Sequence, residues 1–197
     1  MKSITFGVIS PRELVLSDRE LSARLMRSVS ASDTDISLVC REIIGASNMR
    51  FAAARLKILG INADKAELEG LSVVSSALSA YFSGASETYI FAATLGSEVD
   101  RLIMKKRALS LADGFVFDAV ASAVTEAMCE AVERRICQSD NTKPRFSPGY
   151  ADCPLSVQKE LMSILSADKY TGIKLLDSLL MTPMKSVSAF VAIKGEK

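Results

Sequence analysis

The stretch ADGFVFDAVASAVTEAMCEAVERRICQ carries Val116, Val120, Val124, Met128 and Val132 at intervals of four residues. That spacing puts all five on one face of a helix, expected over 115–137, longer than most in globular proteins. A stripe of this length needs a broad apolar surface to cover it, and a sheet supplies one. A second line on the same helix is small and acidic: Ala119, Ser122, Ala123, Glu126, Glu130 and Glu133. The small residues let a backbone or a ligand approach closely, and Glu126 follows them directly. For Glu130 and Glu133, a solvated edge beside the core stripe is an equally good reading.

Strand patterns are present to pair with that helix. TYIFAATLG, Thr88 to Gly96, is rich in β-branched and aromatic residues and predicts a buried strand. SITFGVI and MRFAAARLKI predict two more, with LGIN as the turn after the second. TGIKLLDSLLMTPMKSVSAFVAI predicts two strands joined around Thr182-Pro183-Met184, in the same antiparallel sheet as Thr88–Leu95. Helices are expected over SDRELSARLMRSVS, with Ser17 and Glu20 as a capping box, over 34–45, and over ELEGLSVVSSALSAYFSGAS, closed by Gly84. Two more are expected over SEVDRLIMKKRAL, capped by Ser97, and over LSVQKELMSIL. Strands and helices mix without a regular βαβ alternation, so the fold class is α+β: a twisted antiparallel sheet packed with helices. The organisation expected is an N-terminal arm with helices over 1–45, part of the same unit, and a main domain over 46–197.

Composition narrows the chemistry. The 197 residues contain no histidine, which removes His-based triads, the usual acid–base group near neutral pH and most catalytic zinc sites. It also leaves no imidazole to ligate iron or cobalt. Twenty-four basic against 23 acidic residues give a net charge of +1, so a general nucleic-acid binder is not expected. The apolar run near the start is shorter than the roughly 7–15 residues of a secretion signal, and no run of about 20 apolar residues suggests a membrane span. Cys40, Cys129, Cys137 and Cys153 form no CxxC pair and read as reduced thiols of a cytoplasmic protein. No GxxxxGK[ST] or GxGxxG occurs. Binding and positioning, or chemistry borrowed from a ligand, is what remains.

One segment stands apart from this regular pattern: RFSPGYADCP, Arg145 to Pro154. Pro148 fixes its own φ and pushes Ser147 toward extended geometry. Gly149 permits φ > 0, and Pro154 can open the next helix. The loop is therefore stiff, and it projects an arginine suited to a carboxylate or phosphate and a tyrosine offering a flat face. By itself such a loop is also compatible with a purely structural turn.

RFSPGYADCP resembles the Arg-x-x-Pro-Gly-Tyr-Pro-x-Cys-Pro signature of the activation domain of cobalamin-dependent methionine synthase. TGIKLLDSLLMTPMKSVSAF is similar to that family's glycine–isoleucine strand and its Met-x-Pro-x-x-Ser-Val-Ser turn. FAATLGSEVDRLI and DAVASAVTEAMCEAVERRI resemble the strand and long helix of its stand-alone versions, and the likeness covers about residues 50–193. The resemblance implies S-adenosylmethionine binding through Glu126, Arg145, Ser147, Gly149 and Tyr150, with no catalytic residue and no metal ligand on this chain. Arg145 would take the methionyl carboxylate, Ser147 would offer its backbone, Tyr150 would contact the ligand, and Glu126 would face it from the helix. The sequence departs from the family pattern at Ala151 (proline in the family), Asp152 (a small residue), and Leu155-Ser156 (an acidic–histidine pair). The family's N-terminal ligand-holding aspartate has no assignable position.

The function implied is that of a stand-alone reactivation subunit in methionine biosynthesis. It would present the methyl group of S-adenosylmethionine to reduced cobalamin supplied by a separate methionine synthase that lacks its own activation domain. A reducing partner such as a flavodoxin-like protein would take part, and activity would appear only with the cobalamin-carrying partner. The alternative is a non-catalytic S-adenosylmethionine-binding sensor or scaffold for a corrinoid methyltransferase. Because a planar corrin has to reach the sulfonium methyl, the concave face of the sheet is expected to be uncovered beside the 145–154 loop.

Overall fold

The computed structural model describes residues 3–16 and 35–195. Three long strands form its centre: β2 (Arg50–Ile61), β5 (Ala85–Thr94) and β8 (Ser186–Lys194). β2 pairs antiparallel with β5 from Arg50↔Thr94 to Lys57↔Glu87, and β5 pairs antiparallel with β8 from Ala85↔Lys194 to Thr94↔Ser186. The other edge of β2 is shared end to end. β1 (Ile4–Val8) pairs with its first half, and β3 (Lys65–Leu68), followed by β4 (Leu71–Val74), pairs with its second.

The period of two along these strands sends alternate residues to two cores. Phe51, Ala53, Phe91, Ala93, Ala189 and Val191 face one side, where α4 (Leu111–Cys137) lays its whole Val116–Val132 stripe on the sheet. Val39 and Ile43 of α1 (Ile36–Ala46) and Val99 and Ile103 of α3 (Ser97–Leu109) complete that core. Ala52, Ala54, Leu56, Ile90, Ala92 and Phe190 face the other side. There they meet Leu78 and Phe82 of α2 (Ser76–Phe82), Leu161 and Leu165 of α5 (Val157–Leu165), and Ala167 of α6 (Ala167–Thr171). Helices thus cover both faces, contrary to the uncovered concave face expected from the corrin's size. Alternate strand positions are apolar on both sides, so leaving either face open would expose a continuous apolar surface that includes phenylalanines.

The α+β class and the antiparallel sheet hold, with several local differences. ELEGLSVV forms not a helix but the β3–β4 hairpin: Gly70 turns it at φ +80°, and Leu71 and Val73 are buried while Ser72 and Val74 are exposed. The helix expected there is confined to α2, and Gly84 follows it at φ +74°. LGIN continues β2 through a register slip between Ile58 and Gly60, and the turn moves beyond it. Gly96 at φ +91°, not Ser97, precedes α3. Of the two strands expected around Thr182–Met184, only β8 joins the main sheet. The other is β7 (Met181–Thr182), which pairs with β6 (Lys174–Leu175) in a separate small ribbon. The SDRELSARLMRSVS helix lies outside the described residues. Among the described residues, no helix is long and apolar enough to cross a membrane.

Candidate functional site

The polar linker after α4 runs antiparallel along the outer edge of β8. Lys194 N–H donates to the Asn141 carbonyl (2.8 Å), and Lys143 N–H donates to Ala192 (2.9 Å). Phe146 and Phe190 exchange both backbone hydrogen bonds, at 2.9 and 2.8 Å. Residues 145 and 146 are therefore extended, and extended neighbours point to opposite sides. Arg145 turns to α4. Phe146 turns to the second core, where its ring lies 5.2 Å from Tyr81. Burial pushes the Tyr81 hydroxyl up to about 12.

Arg145 lands between two carboxylates of α4. Its Nη1 donates to Glu133 Oε1 at 2.6 Å, and its Nη2 makes a tight ion pair with Glu126 Oε2. Glu126 and Glu133 lie seven residues apart, two helical turns on one face, which lets one planar guanidinium bridge both. Burial works against the charged form of Arg145, but Cys129, Glu133 and Glu126 together outweigh it and hold its pKa above the ordinary arginine value. Glu133 is thus not part of a solvated edge, whereas Glu130 reaches Arg134 on its own helix at 3.9 Å.

Beside Glu126 lies a cleft of about 230 Å³ between α4 and the turn into β8, lined by Ser122, Thr125, Glu126, Met184, Lys185 and Ser186. Lys185 holds the turn on the helix: its Nζ donates to Ser122 Oγ (2.9 Å) and to the Asp118 carbonyl (3.2 Å) and pairs with the Asp118 carboxylate (3.1 Å).

Beyond Phe146 the loop closes on itself. Tyr150 N–H donates to the Ser147 carbonyl (3.2 Å), Cys153 N–H to Tyr150 (2.9 Å), and Gly149 N–H, at φ +89°, to Cys153 (3.0 Å). Tyr150 is half exposed and stands edge-on to Phe146 at 5.8 Å between ring centres. The structure therefore brings Arg145 and Glu126 into contact and places Ser147, Gly149 and Tyr150 on the adjoining loop. Burial pushes the Cys129 and Cys153 thiols up, away from a reactive thiolate.

Asp152, a departure from the resembled pattern, has a defined task. Its carboxylate accepts from Ser75 Oγ (2.6 Å), Ser76 Oγ (2.5 Å), Ser76 N–H (2.8 Å) and Ala77 N–H (3.1 Å), clamping the loop to the start of α2. Ala151 sits at φ +49°, a conformation closed to proline, so the two departures belong together. The Ser75 and Ser76 hydroxyls, then the two backbone N–H groups, hold the Asp152 carboxyl well below the ordinary value of 3.8. A carboxyl depressed in the folded state stabilises it fully above its unfolded pKa and loses that contribution as pH falls toward the folded one. Asp152→Asn is therefore expected to be less stable than wild type at pH 7, with the gap closing below about pH 4. Denaturation midpoints of the two proteins from pH 7 to pH 2.5 check this; a gap independent of pH counts against the clamp.

A model of the family described as the activation domain of vitamin B12-dependent methionine synthase matches residues 82–196. Among solved structures, a crystal structure of the MetH reactivation domain bound to AdoHcy matches with a TM-score of 0.70 at 17% identity, covering 100% of this chain and 80% of that one. At that identity the likeness is one of fold. A search of curated proteins finds no match.

Proposed function

Because the chain belongs to the family of the vitamin B12-dependent methionine synthase activation domain, we propose that it binds S-adenosylmethionine and presents its methyl group to reduced cobalamin on a methionine synthase partner in the cytoplasm. The ligand would lie between the base of the 145–150 loop and the Glu126 face of α4.

The observation that carries this reading is the meeting of Arg145 and Glu126, 19 positions apart, beside the cleft under the Met184–Ser186 turn. An α-amino acid end needs one cation for its carboxylate and one anion for its ammonium, and these two side chains supply them. The sulfonium already carries an activated methyl, which the partner's reduced cobalamin would accept, with the thioether S-adenosylhomocysteine as the leaving group. The task left to this chain is to bind, orient and leave the methyl accessible, which needs no general acid or base. The absence of histidine from these 197 residues fits that division of labour, since any imidazole for cobalt comes from elsewhere. The electron would come from a separate reductant of the flavodoxin type.

The test follows labelled methyl transfer from S-adenosylmethionine to the cobalamin of a methionine synthase under reducing conditions, with and without this chain. Acceleration by the chain is expected. Binding of S-adenosylmethionine with no acceleration would replace this reading by that of a non-catalytic sensor or scaffold.

A further inference from the structure

Arg145 and Glu126, the two groups assigned to the ligand's opposite charges, are bound to each other. A zwitterionic α-amino acid end can satisfy both only if that pair opens. Opening it would leave a half-buried guanidinium free to swing, were it not for Glu133. Glu133 holds the other terminal nitrogen, Nη1, at 2.6 Å, and its side chain is 22% exposed. The guanidinium is planar, so a hold at Nη1 fixes the direction in which Nη2 points.

We propose that Glu133 is a positioning residue for this site, keeping Arg145 aimed while the Arg145–Glu126 pair is exchanged for the carboxylate and ammonium of the incoming ligand. The exchange swaps one ion pair for two and leaves the net charge of the pocket unchanged, because the ligand end carries one charge of each sign. Glu130 cannot substitute for Glu133: it lies one turn nearer Glu126 and reaches Arg134. This inference rests on the S-adenosylmethionine reading above and adds to it the residue that makes carboxylate recognition selective.

The experiment separates the two. S-adenosylmethionine and its decarboxylated analogue, which lacks the group Arg145 would take, are titrated calorimetrically into wild type, Glu133→Gln and Glu133→Asp, each checked for folding by circular dichroism. Wild type is expected to prefer the intact ligand by about tenfold or more, the worth of a charge-assisted hydrogen bond. Glu133→Gln is expected to bind the intact ligand about tenfold more weakly, with the preference for it largely lost. Glu133→Asp, which keeps the charge, should recover part of it, and it carries the test if the glutamine variant does not fold. An unchanged preference in a folded Glu133 variant overturns the positioning role, as does equal weakening toward both ligands, the mark of a merely structural part. A wild type without preference overturns it too. If wild type binds neither ligand, the S-adenosylmethionine reading itself fails.

Discussion

Phe190→Ala is expected to lower the unfolding free energy by about 3–5 kcal/mol, the range for removing a fully buried aromatic ring. Phe190 has no exposed surface and sits in β8 at the centre of the second core, edge-on to Phe82 at 5.7 Å between ring centres. Its backbone is also the seat of the loop, since it exchanges both hydrogen bonds with Phe146 and its carbonyl accepts from the Tyr81 hydroxyl at 3.3 Å. Loss of the ring opens a cavity into which Tyr81 and Phe82 can relax only in part, as both are anchored in α2 and the Tyr81 hydroxyl accepts from the Ala192 N–H at 2.9 Å. Urea denaturation monitored by circular dichroism measures the change. A loss under about 1 kcal/mol would mean that the core around β8 is not packed as described.

Arg145→Ala is the second large effect, expected at about 2 kcal/mol of stability. Removing one partner of a buried ion pair costs about 3–5 kcal/mol because the other charge is left uncompensated. Here Arg145 is 21% exposed, and Glu133 and Glu126 are 22% and 34% exposed, so water screens part of that cost and the lower figure applies. Urea denaturation of wild type and variant at pH 7 measures the loss; equal stabilities would mean that the Arg145 ion pairs contribute nothing to the fold.

Much of the frame was legible because its signals are long. The four-residue spacing of α4 and the β-branched run of β5 each persist over enough residues to outweigh local alternatives, and both are where the pattern puts them. The β3–β4 hairpin was not legible. Leu68, Leu71 and Leu78 suit a helical period as well as a strand, and only pairing with β2 decides in favour of the strand. The same holds at the site. The stiff loop and the acidic line that includes Glu126 are visible in the chain, but the partner of Glu133 lies 12 positions away, and Asp152 finds its serines 76 and 77 positions back. Contacts at that separation leave no periodic trace. Asp152 and Ala151, which looked like departures from a pattern, are the residues through which this chain fixes its loop.

The central claim is that Arg145 and the face of Glu126 receive S-adenosylmethionine, and a calorimetric titration of that ligand into wild type and Arg145→Ala tests it most directly. The account predicts saturable binding to wild type and an affinity about tenfold or more lower in the variant, from the loss of a charge-assisted hydrogen-bonded pair. Equal affinities, or no binding to wild type at all, would contradict it.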